Sequence, residues 1–240
     1  MYRLSFWILL FVIFSVIFII GLVFLGNPFP PYELISYQDL LDLLTPLVLI
    51  PIYWLLFKFA SNKPSTLAEE IIFLVLASLW VMGQGMHLAA NSISNLIESM
   101  ASSGQVDVTG SDIFNLTYFY DEQLGHILWH IGMLGLAGLL IYKEWLQPAG
   151  YLSVWSVTIL SGVIYGFTLF AITNEGQTVW LGSPFSILVI LFTLVWGRRK
   201  LSKQPILAFL FIACLVAALL YAGWGIYWGD FPGFFEVGII

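Results

Sequence analysis

Only three histidines occur in 240 residues, and two of them stand four positions apart in D-E-Q-L-G-H-I-L-W-H-I-G-M, Asp121 to Met133. At this i, i+4 spacing His126 and His130 project from one helix face, and Glu122 extends the stripe one turn back. The third, His87, lies in G-Q-G-M-H-L-A-A-N-S. Gln84, His87, Asn91 and Glu98 there follow i, i+3, i+7, i+14, a second polar stripe if that helix continues through S-I-S-N-L-I-E-S-M. An H-x-x-x-H pair completed by an imidazole from another helix makes a three-histidine metal shell. The single cysteine, Cys214, lies in an apolar run, so N/O ligation points to a divalent transition metal, zinc first, iron or copper after it. Zinc on His87, His126 and His130 would keep a fourth position for water and bring its pKa toward ~7. Glu122 is the preferred general base, with Asp121 and Glu98 as alternates or as carboxylates that orient a ligand. Gln84 and Asn91 would support the ligands, or simply hydrogen-bond between helices.

The elements that must hold these residues are membrane helices. The chain is 60% hydrophobic, 17% aromatic and 9% charged, with a mean hydropathy of +0.95, a surface that water does not tolerate. Nucleic acid is excluded as a partner, because there is no basic stripe to neutralise phosphates. Spans of about 20 apolar residues are expected near 6–25, 40–59, 69–90, 123–142, 151–172, 180–197 and 205–225. The first reads as a retained span rather than a removed signal, since no small-residue cleavage site follows it. The expectation is one all-helical domain over 1–240, a seven-helix bundle in a plasma or inner membrane.

Charge orients it. All eight basic residues, Arg3, Lys58, Lys63, Lys143, Arg198, Arg199, Lys200 and Lys203, fall on one side of such a bundle. The positive-inside rule makes that side cytoplasmic, with the N-terminus inside and the C-terminus outside. Glu33, Glu98, Asp107, Asp112, Asp121, Glu122, Glu175, Asp230 and Glu236 fall on the other. At ~1.5 Å per residue the three histidines lie within about two turns of that outer boundary. Gly83, Gly85, Ala89 and Ala90 around His87, and Gly125, Gly132, Gly135 and Gly138 along the fourth span, allow the two helices to approach closely. A pocket reached from the outer leaflet suits a lipid ester or amide as substrate.

These features resemble the CREST-type membrane metal hydrolases, the group of alkaline ceramidases and adiponectin-receptor-like proteins. The matching residues are the H-x-x-x-H of His126 and His130, the separate His87, and Glu98 eleven residues after it. The resemblance implies zinc and hydrolysis of a lipid amide or related bond. The chain departs from the family in carrying H-x-x-x-H in its fourth span rather than its last, and Gly83 where a serine is expected.

Three other functions use the same residues differently. Haem or copper electron transfer would take one axial histidine from each of two helices, although the inner leaflet has no histidine for a second haem. A transporter would use the outer polar vestibule, with T-N-E-G-Q-T, Thr173 to Thr178, and Asp230 contributing. A structural membrane subunit would need no ligand at all.

Overall fold

The structure is a computed structural model that describes residues 3–104, 108 and 110–239. Seven long helices succeed one another: α1 (Arg3–Phe24), α2 (Tyr37–Phe59), α3 (Leu67–Ser102), α4 (Asp112–Leu146), α5 (Trp155–Glu175), α6 (Val179–Gly197) and α7 (Pro205–Trp228). A small hairpin, β1 (Pro28–Phe29) and β2 (Tyr32–Ser36), joins α1 to α2. Helices α2 to α7 are each long and apolar enough to cross a membrane, and in α1 the stretch Leu4–Ile19 is a shorter apolar helix. Their backbones satisfy their own hydrogen bonds, as a segment in lipid must, and large apolar side chains such as Leu47, Leu188 and Leu219 point outward. The chain is an all-α, multi-pass integral membrane protein.

Local signals start the helices. Ser36 caps α2 by accepting the Asp39 N–H, while Asp39 Oδ2 accepts the Ser36 N–H at 2.7 Å. Thr66 and Glu69 repeat this reciprocal cap at the start of α3, so each helix has two otherwise orphaned donors satisfied. Neighbours in sequence pack in space, α1 on α2 and α3 on α4, while α5 and α7 pack on each other and α5 also lies against α1. Aromatic rings fill the joint. Phe11 meets Tyr53 at 4.7 Å and Tyr165 at 5.1 Å between centroids, and Tyr165 meets Phe209 at 5.4 Å, which ties α1, α2, α5 and α7 together.

Helices α3 and α4 are longer than the spans expected at 69–90 and 123–142. With 36 residues α3 is about 54 Å long, well beyond a hydrocarbon core of ~30 Å. Its extension buries Ala90, Ser94 and Ile97, a helical stripe that continues the contact with α4 after the apolar run has ended. Hydropathy stops at Asn91. Amphipathic spacing does not.

The described basic side chains, Lys58, Lys63, Lys143, Arg198, Arg199, Lys200 and Lys203, gather at one end of the bundle. There Ala149 N–H donates to Ala60 O and Ser153 N–H to Ser202 O, bringing the three loops together. The histidines lie toward the other end. Asp107, counted among the acids of that end, lies outside the described residues, as do the side chains of Arg3 and Glu33.

Candidate functional site

Glycine lets α3 and α4 touch backbone to backbone at the histidines. A Cβ on Gly83 would collide with Trp129 N and Gly125 O, and one on Gly132 would come within 2.6 Å of Leu76 O and Trp80 N. A larger residue at either place would push the helices apart. The close approach brings His87 of α3 to 4.4 Å from His126 of α4, centroid to centroid, with His130 a further 6.0 Å along. The three imidazoles expected to meet do form one cluster, with Trp129 beside them at 4.9 Å from His130.

The carboxylates divide by a local irregularity. Residues Phe119–Gly125 of α4 form a π-helical turn, which is wider than an α turn and puts residues five apart on one face. Asp121 therefore shares the inward face with His126 and is buried, where it accepts from His87 Nδ1 at 2.7 Å. Glu122 is half-buried, with Oε2 3.7 Å from His126 Nδ1. Glu98 is exposed on the extension of α3, away from the imidazoles, and Asn91 accepts from Asn95 Nδ2 at 3.2 Å. Gln84 turns toward α2. Its Nε2 donates to Asp42 O and Oδ1 at 2.8 and 2.7 Å, while its Oε1 accepts from Trp80 Nε1.

Every imidazole is held by one nitrogen. His87 Nδ1 donates to Asp121, His126 Nδ1 to the Glu122 carbonyl at 3.2 Å, and His130 Nδ1 pairs with Thr178 Oγ1 at 2.6 Å. Thr178 has its own acceptor in Thr173 O at 3.3 Å, so its hydroxyl can receive the His130 proton. In this arrangement each Nε2 carries a free lone pair. None bonds to a described residue, and that of His130, whose side chain is 0% exposed, is wholly enclosed. Gly176, at the end of α5, closes over them, since a Cβ there would lie 2.7 Å from His130 Cε1.

With the imidazoles neutral, this donor set suits zinc, because Nδ1 of each is fixed by a partner. In their present orientation, however, no three His, Cys, Asp or Glu side chains among the described residues are arranged to hold a metal ion. The His126 and His130 rings lie nearly parallel, 11° apart, so an ion bound by all three Nε2 atoms requires rings to turn. A porphyrin does not fit between His87 and His126, whose rings are already in contact.

Three contributors escaped sequence reasoning. Thr178 belongs to T-N-E-G-Q-T, but nothing in the sequence directs it at His130, 48 residues earlier. Asp42 lies one turn inside the start of α2, where an acid reads as a helix-end residue. Trp129 looks like any lipid-facing aromatic between its two histidines.

The fold and the cluster define a class: a multi-pass helical membrane protein with a buried polar site near one end. Two known proteins are similar in sequence. The ceroid-lipofuscinosis neuronal protein 6 homolog of Canis lupus familiaris is 24% identical over 190 residues, covering 74% of this chain and 61% of that protein. Human ceroid-lipofuscinosis neuronal protein 6 is 24% identical over 200 residues with the same coverage. The chain thus spans about 61% of the length of these relatives. No family model matches the chain, and no solved structure matches it.

Proposed function

We propose that the histidine cluster binds a divalent transition metal, zinc foremost, and that the protein hydrolyses a membrane lipid there. The observation that carries this reading is the common state of the three imidazoles, each anchored through Nδ1 and uncommitted at Nε2. Bound zinc would supply Lewis acidity and a water acidified to near neutrality. The protein's own groups do the rest. Asp121 holds the His87 ring, Thr178 holds His130, and Glu122, half-buried beside His126, takes and returns protons as general base and acid. Gly176 and the packed Trp129 restrict access of bulk water. The basic end is cytoplasmic on this reading, which puts the site in the outer leaflet with the C-terminus outside.

A second reading draws on the nearly parallel His126 and His130 rings. Asp121, His87, His126, His130 and Thr178 form a series across the histidine end, from α4 through α3 to the start of α6, and such a series suits proton movement in a transporter as well as metal binding.

Elemental analysis of detergent-purified protein, with a visible absorption scan, separates these readings. About one zinc per chain, absent from the His126→Ala/His130→Ala double variant and without a visible band, is the expected result. Metal-free protein in both samples would overturn the zinc reading and favour the proton series. Retention of full lipid hydrolysis by Glu122→Ala would remove Glu122 from the mechanism.

A further inference from the structure

Between α2 and α3 a groove of about 390 Å3 opens on the lateral surface of the bundle, walled by Leu43, Leu47 and Pro51 on one side and Val81, Gly85 and Leu88 on the other. Its volume lies within the ~300–1,000 Å3 of small-ligand sites. The sequence explains why it stays open. Gly85 contributes no side chain, and a Cβ built there would meet nothing within 4 Å.

Depth and surroundings identify the occupant. From Leu43 to Pro51 the groove runs about 12 Å along α2, close to the ~15 Å that half of a ~30 Å hydrocarbon core provides. Both helices cross the membrane, and the walls face outward, with Leu43 50%, Leu47 65% and Val81 50% exposed. What lies against such a groove is a bilayer chain. Toward the histidines the groove wall carries one polar side chain, Gln84, which bonds to Asp42 on α2. Asp42, next to Leu43, is buried and uses Oδ1 to accept from Gln84, while its Oδ2 accepts from no described residue. Gln84 lines the groove and precedes His87 by one helical turn.

We propose that the α2–α3 groove seats the acyl chain of the lipid substrate, which enters sideways from the leaflet and offers a hydrogen-bond donor of its head to Asp42 Oδ2. This rests on the reading of the histidine cluster as a site acting on lipid. A single acyl chain with a hydroxyl-bearing head satisfies both ends. The polar linkage then lies beside His87, one turn along α3.

The test is photolabelling of the full chain in nanodiscs with a trace of diazirine-tagged monoacylglycerol, followed by peptide mass spectrometry. Labels are expected to concentrate on the peptides containing 43–51 and 81–88. Gly85→Phe, whose Cβ meets nothing within 4 Å, puts a ring at the groove and should lower that labelling at least tenfold. Gly138→Phe on α4, where a Cβ also meets open space, should leave it unchanged. Matching elution profiles and melting temperatures would establish that both variants fold. The corresponding diazirine fatty-acid methyl ester, whose head has no donor, should label the groove several-fold less, a preference that Asp42→Ala abolishes. Labelling spread evenly over all lipid-facing helices and unaffected by Gly85→Phe would overturn the groove as the seat. Equal labelling by the two probes would overturn the role of Asp42. The His126→Ala/His130→Ala variant keeps the groove intact and should label as wild type does. Groove labelling in wild-type protein that itself holds no zinc would sink the zinc hydrolase while leaving the lipid seat standing.

Discussion

At the basic end of the bundle, charged groups pair between helices. Lys143, buried, meets Glu69 at 2.9 Å, and Lys58 pairs with Glu70. The enclosed Glu144 accepts the Ile206 and Leu207 N–H groups at 3.1 and 2.8 Å, so the first turn of α7 is capped by a carboxylate from α4. Uncharged groups there are less complete: Gln204 Oε1 and, in the first two turns of α5, Thr158 Oγ1 and Ser161 Oγ are buried without a partner among the described residues. At the histidine end, His130 Nε2, Trp129 Nε1, Asn174 Oδ1 and Ser94 Oγ are all buried without a partner among the described residues. A buried polar atom left unsatisfied costs roughly 1–3 kcal/mol, and such atoms call for an explanation one by one. One end therefore behaves as a lock between helices. The other leaves an imidazole nitrogen, an atom able to take a metal or a proton, without a described partner.

Variants at the two ends should separate along this line. The largest effect is expected at the joint that brings the histidines together. Gly132→Leu drives a side chain into the backbone of Leu76 and Trp80, so size-exclusion of detergent extracts should show loss of the monodisperse species, and a normal profile would mean that α3 and α4 need not touch. Next comes the lock. Glu144→Ala strands two backbone donors at the start of α7 and should cost roughly 3 kcal/mol, read as a lower melting temperature with zinc content per folded chain unchanged. Loss of zinc with it would mean that the two ends are not separable.

Smaller changes are expected from the anchors of the imidazoles. Asp121→Asn and Thr178→Val should each weaken zinc binding about 10–100-fold in a chelator competition while shifting the melting temperature little. Binding as tight as wild type would show that Nδ1 anchoring is irrelevant to the site. The smallest effect belongs to Lys58→Ala. Its ion pair with Glu70 is partly exposed, so a change of only about 0.5 kcal/mol is expected, and a larger one would move Lys58 from the surface into the lock.

Much of this organisation was legible beforehand. Apolar runs revealed seven helices, and the basic residues indicated which helix ends lie together. The stripe of Glu122, His126 and His130, with His87 on a second helix, indicated a cluster before any coordinates. What escaped is instructive. The π turn at Phe119–Gly125 draws Asp121 onto the inward face beside His126 and leaves Glu122 half-buried, and no residue in that stretch announces a wider turn. Gln84 was legible as a polar residue on the stripe of His87 but not as a partner of Asp42, because its orientation depends on where α2 passes. Glu98 fell on the same stripe and is nonetheless remote, since helical phase says nothing of distance along the axis.

By itself the sequence determined the medium, the helices and the end of the bundle to which each charge belongs, because these follow from composition and from period along a single chain. Only the tertiary structure decided which nitrogen of each imidazole is held and which is free. It also decided that Thr178 reaches His130 and that α2 and α3 part to leave a groove. Those outcomes depend on close packing between helices distant in sequence, where a missing side chain or one widened turn redirects every polar group beside it.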